Sequence, residues 1–551
     1  MQIRITNLPA TLDVEGGATV GSLVSLLPEP LGFAPVCARV NNKDEDLSFP
    51  LYAPKQVEFL PVTSPSGTRC YVRSLCFVLY LAVHRLYPGA SLRVRNAVSR
   101  GYYCTVSGVD LPWKAADEIR AEMRRIVEAD MPIVRSESPT AEVVEMFRAQ
   151  GLDEKVRLLE GLGELYTVYY TLGGLHDTCL GPMALSTGML GVFDFVPYED
   201  GFLLLPPDSA DPTRPATPLA QPKLFKAFRN YQQFNHIVGL SGVADVRAMV
   251  ESKQSAMMVN VAEALSAKYI REIADKVTGR FRDGGAKVVL IAGPSSSGKT
   301  TFTKRLAIEL LTNLVKPVMI SLDDYFVDRH HTPLDEDGEL DYESLYALDL
   351  ELFNSHLVTL TQGGEVELPT YNFERGCREF KGRRISLGQD SILLIEGIHG
   401  LNPELTSRLE ERMKYRIYVS ALTTISVDEH NWVSTTDTRL LRRIIRDYKY
   451  RGTSPLSTIK RWPSVRRGEE KWIFPYQENA DSMFNSSLLF ELSVIRDEAE
   501  RVLRTAPRSC PEYAQAHRLR RFLSVFPPIS SHLIPPTSLL REFLGGSSFH
   551  Y

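Results

Sequence analysis

Residues 288–311 read VVLIAGPSSSGKTTFTKRLAIELL. An apolar run enters a loop bounded by Gly293 and Gly298, and Lys299 and Thr300 then open a stretch whose apolar residues recur at helical spacing. The stretch fits G-x-x-x-x-G-K-[ST], and strand, glycine loop and helix in that order build a phosphate cradle. The glycines let backbone N–H groups turn inward, lysine reaches the β/γ-phosphates, and the threonine hydroxyl can hold Mg²⁺. The helix aims its positive end at the same anion. Gly293, Pro294, Ser295, Ser296, Ser297, Gly298, Lys299, Thr300 and Thr301 are therefore expected to bind the cofactor, ATP with Mg²⁺.

Around the cradle, apolar strands alternate with helices: KVVLIAG, KPVMISLDD, DSILLIEGI and KYRIYVSA. This is the pattern of an α/β fold with a parallel sheet covered on both faces. Ligands bind such sheets outside the carboxyl ends of the strands. Asp323 and Asp324 end one strand and Glu396 ends another. A carboxylate there can deprotonate an attacking hydroxyl and share the metal, with Thr300 and Glu396 as the other metal-side groups. A lone aspartate at a strand end is commonly a cap or a turn; the neighbouring cradle and third acid favour chemistry. His399 is read as local packing. In TDTRLLRRIIRDYKYRG, Arg439, Arg442 or Arg443, Arg446 and Lys449 form a cationic stripe. Such stripes are usually solvated faces, but beside a nucleotide a lid of arginines neutralises the transferring phosphoryl and excludes water. The lid is the expectation.

The chain of 551 residues is 44% apolar and 24% charged with net charge −4, which gives no reason to expect a nucleic-acid coat. Seven scattered cysteines without a C-x-x-C pair argue against a zinc ribbon and a disulfide framework, and a cytoplasmic location is expected. MQIRITNLPATLDV has neither a basic nor an apolar leader region, and no window suits a membrane span. Residues 1–62 read as a small α+β unit, with QIRITNL, ARVNN and QVEFLPV as strands and ATVGSLVSLL as a helix. Residues 63–205 read as a second α+β unit. The proline-rich segment PPDSADPTRPATPLAQP marks a linker over 206–222. A helical connector is expected over 223–285, and the α/β unit with a C-terminal extension over 286–551.

From about residue 287 to 489 the chain resembles the uridine kinase branch of the P-loop kinases, which also includes phosphoribulokinase. The matching pieces are GPSSSGKTT, SLDDYF, ELDYESLYALD, LPTYNF, LIEGI, DTRLLRRIIRDYKYRG and KWIFPYQENADSMFNSSL. Residues 1–62 resemble a TGS domain and 63–205 the second additional domain of threonyl-tRNA synthetases. This combination, with the tail SLLREFLGGSSFHY, is similar to a bacterial family of uridine kinase-like nucleoside kinases.

The resemblance implies that Asp323 is the catalytic base, assisted by Lys299 and Arg446. It implies that Phe326 and Tyr371 flank the nucleoside, that Asp341 binds ribose hydroxyls, and that Arg439 and Arg442 contact substrate. The implied reaction moves the γ-phosphoryl of ATP to the 5′-hydroxyl of a ribonucleoside. Another small alcohol such as ribulose 5-phosphate or pantothenate, or an RNA-linked NTPase switch, stays open, as does the oligomeric state. The sequence departs from the family twice. Uridine kinases carry a base-reading histidine where this chain has Gly376, so weak discrimination between uridine and cytidine is expected. The synthetase domain's H-x-x-x-H stretch here reads SPSGTRCYVRSL, with His84 and His176 elsewhere, so its editing chemistry is expected to be lost.

Overall fold

A computed structural model describes residues 1–112 and 114–550. Trp113, which heads the predicted helix WKAADEIRAEMRRIVEAD, and Tyr551, which ends SLLREFLGGSSFHY, lie outside the described residues.

The C-terminal half is built on seven strands: β1 (Val288–Ala292), β2 (Lys316–Ser321), β3 (Glu365–Asn372), β4 (Cys377–Ser386), β5 (Ser391–Glu396), β6 (Lys414–Ser420) and β7 (Ser482–Asn485). Five form one sheet in the order β2–β5–β1–β6–β7, every pair parallel. All five residues of the central β1 are fully buried, which is why this strand is apolar throughout instead of alternating. Val289 and Ile291 pack against α1 (Ser255–Arg282) and α2 (Lys299–Thr312) through Ile270, Ile273, Val277, Phe302 and Leu306. Val288 and Leu290 face the opposite way, towards Phe353 and Leu357 of α3 (Leu350–Thr361). Strands β3 and β4 form a separate antiparallel hairpin.

Beyond the sheet lie α4 (Thr435–Arg451), α5 (Pro455–Trp472), α6 (Glu491–Leu503), α7 (Tyr513–Ser524) and α8 (Arg541–Leu544). Leu440, Ile444, Ile495, Leu519 and Phe543 give them a common core.

The N-terminal half is α+β, as expected. Its first sheet orders Ala10–Asp13, Gln2–Ile5, Lys55–Pro61, Pro35–Val40 and Lys43–Glu45. The apolar patch ATVGSLVSLL yields only a six-residue 3₁₀ helix, Gly21–Leu26. The long helix Pro65–Leu86 then packs among two antiparallel sheets of three and four strands.

Two connecting segments are more than connectors. Residues 206–222 lie down on the four-stranded sheet: Ala216 is buried with Leu203 and Leu205, and Leu219 N donates to Ser99 Oγ at 2.7 Å. Prolines suit this extended path because they need no ladder donor. Residues 223–285 are helical as expected, yet α1 completes the core beneath the sheet.

The halves are joined by buried charge. Lys155 is fully buried, with Nζ 2.7 Å from Asp428 and 2.8 Å from Asp177. Asp177 also bonds His430 Nδ1 at 2.7 Å, and Glu154 N donates to Glu429 at 2.7 Å. No helix among the described residues is long and apolar enough to cross a membrane.

Candidate active site

The cradle's shape follows from its small residues. A Cβ on Gly293 would stand 1.9 Å from the Val419 carbonyl oxygen, so only glycine lets β1 leave the sheet there. Gly298 caps α2 with φ +84°, and Ser296 also takes a positive φ of 57°.

Loop carbonyls are held away from the cradle by groups behind it. Arg439 Nε donates to Ser295 O at 2.9 Å, Arg442 Nη1 to Ser296 O at 3.4 Å, and Ser486 Oγ to Ser297 O. Drawing the carbonyls outward favours inward-facing amides, with Ser295 N the exception, donating to Glu469 Oε1 at 3.1 Å. The hydroxyls of Ser296 and Ser297 are buried without hydrogen-bond partners among the described residues. Lys299 Nζ rests on Pro294 O at 3.1 Å. Burial lowers its pKa, while the charges of Glu396 and Asp323 oppose that shift.

Register places the acids. On β5, Glu396 pairs with Ile291 of β1 on one side and Ser321 of β2 on the other. It therefore stands between the strand ends that lead into Gly293 and Asp323. Thr300 Oγ1 donates to Glu396 Oε1 at 3.2 Å. Burial pushes the Glu396 carboxyl up to about 7, against the pull of Lys299. This hydroxyl and carboxylate, with Asp323 on the same sheet edge, offer oxygen donors only, the set that a hard cation such as Mg²⁺ prefers. Asp323 is exposed on a 3₁₀ turn, its N–H capped by Ser321 Oγ at 3.3 Å. His399 is buried near the Trp472 ring, and burial pushes its pKa down to about 3. Its imidazole is neutral.

Beyond Asp323 the strand-end turn meets the β3–β4 hairpin. Phe326 and Tyr371 are buried, with ring centroids 5.5 Å apart. Asp341 is half-buried, and its Oδ1 accepts from Glu343 N at 3.0 Å. Glu343 itself has a buried, unpartnered Oε2 among the described residues, and burial raises its pKa to about 7.

The arginine stripe requires a correction. Arg439 and Arg442 are 1% and 0% exposed, and are neither a solvated face nor open to substrate. Arg439 pairs with buried Glu469 and Arg442 with buried Glu491. Their cations hold the cradle from behind. Arg443 reaches Ser295 Oγ at 2.9 Å. Arg446, half-buried, bonds Asp447 at 2.9 and 3.0 Å. Thr301 is fully buried; its N–H and hydroxyl donate to Glu542 at 3.2 and 2.7 Å.

Glu469, Glu491, Glu343 and Glu542 escaped the sequence reading. In RRGEEKW, Glu469 looks like one more exposed helix charge, and only its burial reveals its partner.

In the N-terminal half, His84 lies in the last turn of its helix, and His176 Nδ1 bonds Thr171 Oγ1 at 3.0 Å.

Comparison with known proteins finds different relatives for the N-terminal and C-terminal regions. The model of the Phosphoribulokinase / Uridine kinase family matches residues 288–489. A uridine kinase of Staphylococcus epidermidis is 31% identical over 195 residues, 35% of this chain and 84% of that enzyme. The N-terminal region matches threonine–tRNA ligases. That of Desulforamulus reducens is 33% identical over 177 residues, 32% of this chain. The chain spans only 28% of the ligase's length. Among solved structures, a possible uridine kinase from Bacillus stearothermophilus aligns at 18% identity with TM-score 0.26, covering 39% of this chain and all of that one.

Proposed function

Since the chain belongs to the phosphoribulokinase/uridine kinase family, we propose that it transfers the γ-phosphoryl of ATP to the 5′-hydroxyl of a ribonucleoside, uridine-like in class. One observation supports this reading above the others: the glycine cradle, Asp323 and Glu396 meet at one sheet edge beside an aromatic cleft formed by Phe326 and Tyr371.

The nucleoside enters that cleft with its ribose towards Asp341. Asp323 accepts the proton of the 5′-hydroxyl as it attacks. Lys299, with Arg443 beside Ser295 and Arg446 one turn further along α4, stabilises charge on the transferring phosphoryl. Thr300, Glu396 and Asp323 would hold Mg²⁺, which would offset charge on the phosphates. Arg439 and Arg442 are positioning residues that keep the loop in shape. The domain division carries over in altered form: a TGS-like unit over 1–62, a synthetase-like unit over 63–205, and a kinase unit that includes α1 and extends to the tail.

The test is direct. Purified protein is incubated with Mg·ATP and a panel of nucleosides, and products are identified by mass. A nucleoside 5′-monophosphate is the expected product. A phosphorylated sugar phosphate or pantothenate instead, or ATP hydrolysis that RNA stimulates without any phosphorylated acceptor, overturns the reading.

A further inference from the structure

Beyond Asp323, three rings pack together at the start of the β3–β4 hairpin turn. Phe326, Tyr371 and Phe373 lie with centroids 5.0 to 6.2 Å apart. Tyr371 is 5% exposed, and its hydroxyl has no hydrogen-bond partner among the described residues. A hydroxyl buried in that way is free to take a ligand's hydrogen bond. Beside the same rings Gly376, at φ +68°, carries no side chain, and Arg329 fills the space. A Cβ built on Gly376 would lie 2.6 Å from Arg329 Nε. Arg329 is tied to the turn twice, by its N–H to Gly376 O at 2.8 Å and by Nη2 to Phe373 O at 2.7 Å. Its neighbour Arg378 is committed to Asp349 at 2.7 Å, whereas Arg329 has no carboxylate partner among the described residues.

We propose that Arg329 selects the acceptor's base, favouring bases that present carbonyl oxygens at the edge facing the hairpin. A guanidinium has only donors. Facing a carbonyl it gains a hydrogen bond; facing an exocyclic amino group it sets donor against donor. Uridine and guanosine are therefore preferred to cytidine and adenosine, which replaces the weak discrimination expected from Gly376 alone. The inference rests on the nucleoside reading above.

The experiment measures kcat/KM and calorimetric binding for these four nucleosides, with wild type and Arg329→Ala. Wild type should favour the carbonyl-bearing bases about tenfold or more by both readouts. In Arg329→Ala that ratio should fall to within about threefold, with MgATP affinity unchanged. No preference in wild type, or one that survives in Arg329→Ala, overturns the inference. If no nucleoside is bound or phosphorylated, the nucleoside reading falls with it. If binding shows the preference and its loss without turnover, selection by Arg329 stands and the transfer reading alone falls.

A different observation carries a second inference at the other end of the cradle. Thr301 is the third residue of α2, so its amide is one of the donors with no partner inside the helix. Such donors are the ones that phosphate chains use at helix starts. Glu542 of α8 already takes this amide and the Thr301 hydroxyl. Around it, Phe543 is fully buried 5.1 Å from the Arg442 guanidinium, and Lys449 Nζ donates to Leu544 O.

We infer that the C-terminal segment is an autoinhibitory strap, and that nucleotide binding and the hold of Glu542 on Thr301 exclude one another. Glu542→Ala should tighten MgATP binding about fivefold or more, and the isosteric Glu542→Gln about twofold or more, which covers the case in which the alanine variant folds poorly. In the wild-type chain, MgATP should speed tryptic cleavage after Arg541. Unchanged or weaker binding in Glu542→Gln, or cleavage indifferent to MgATP, overturns the strap.

Discussion

At the scale of single residues, the site divides into groups that act on ligand and groups that hold those groups. Asp323 belongs to the first kind: exposed and lightly tethered, it can be neutralised without disturbing its surroundings. Asp323→Asn should lower kcat about 10²-fold or more, with MgATP affinity within a few-fold of wild type, measured by steady-state kinetics and calorimetry. Glu469 belongs to the second kind. It is fully buried against Arg439 and also accepts from Ser295 N at 3.1 Å. Glu469→Gln removes the counter-charge from a buried guanidinium and should cost about 3–5 kcal/mol in urea unfolding; a change below 0.5 kcal/mol, as a surface site would give, would contradict the role given to it. The acting residues were legible because each sits in a local pattern: glycine loop, lysine, strand-end acid. Their holders were not, because Arg439 meets Glu469 thirty residues away and Arg442 meets Glu491 forty-nine away. Nothing in either neighbourhood marks the pair.

At the scale of elements, the parallel strands could be read because burial on both faces writes continuous apolar runs. The β3–β4 hairpin was harder: β4 is largely exposed, and CREFKGRRIS reads as a charged loop. Helix α4 shows the limit of periodicity. Arg439 and Arg442 are buried together with its leucines and isoleucines, while Arg451 is exposed, so charge spacing alone could not tell a lid from a wall. Helix α1 lies in a stretch read as a connector, and its packing gives a clean test. Ile270 is 1% exposed beneath the sheet. Ile270→Ala should destabilise the chain by about 2–5 kcal/mol in equilibrium unfolding, whereas a solvated connector would register less than about 0.5 kcal/mol.

At the scale of the whole molecule, the sequence marked where composition changes but not what binds the halves together. Lys155, Asp177, Asp428 and His430 come from segments more than two hundred and fifty residues apart. Their junction has a pH signature. Lys155 and His430 hold the Asp177 carboxyl down at about 2, below its unfolded value of about 3.9. A depressed carboxylate pKa contributes stability above the unfolded value, and that contribution is lost as pH falls from about 4 towards 2. It amounts to about 2 kcal/mol. Urea unfolding at pH 7, 5 and 3 should show the wild-type margin over Asp177→Asn steady between the first two and smaller at the third. A margin that grows on acidification would contradict the pairing.

The buried pairing of Arg442 with Glu491, and the seat of Phe543 beside the same guanidinium, place the last stretch of the chain behind the loop that opens α2. During synthesis that loop emerges from the ribosome some two hundred residues before its support does. Until Glu491 follows, Arg442 has no counter-charge with which to stay buried and hold the Ser296 carbonyl outward. A growing chain therefore grips nucleotide poorly until Glu491 has been made, and ribosome-bound fragments ending before residue 491 should fail to retain a radiolabelled ATP analogue that the released protein binds.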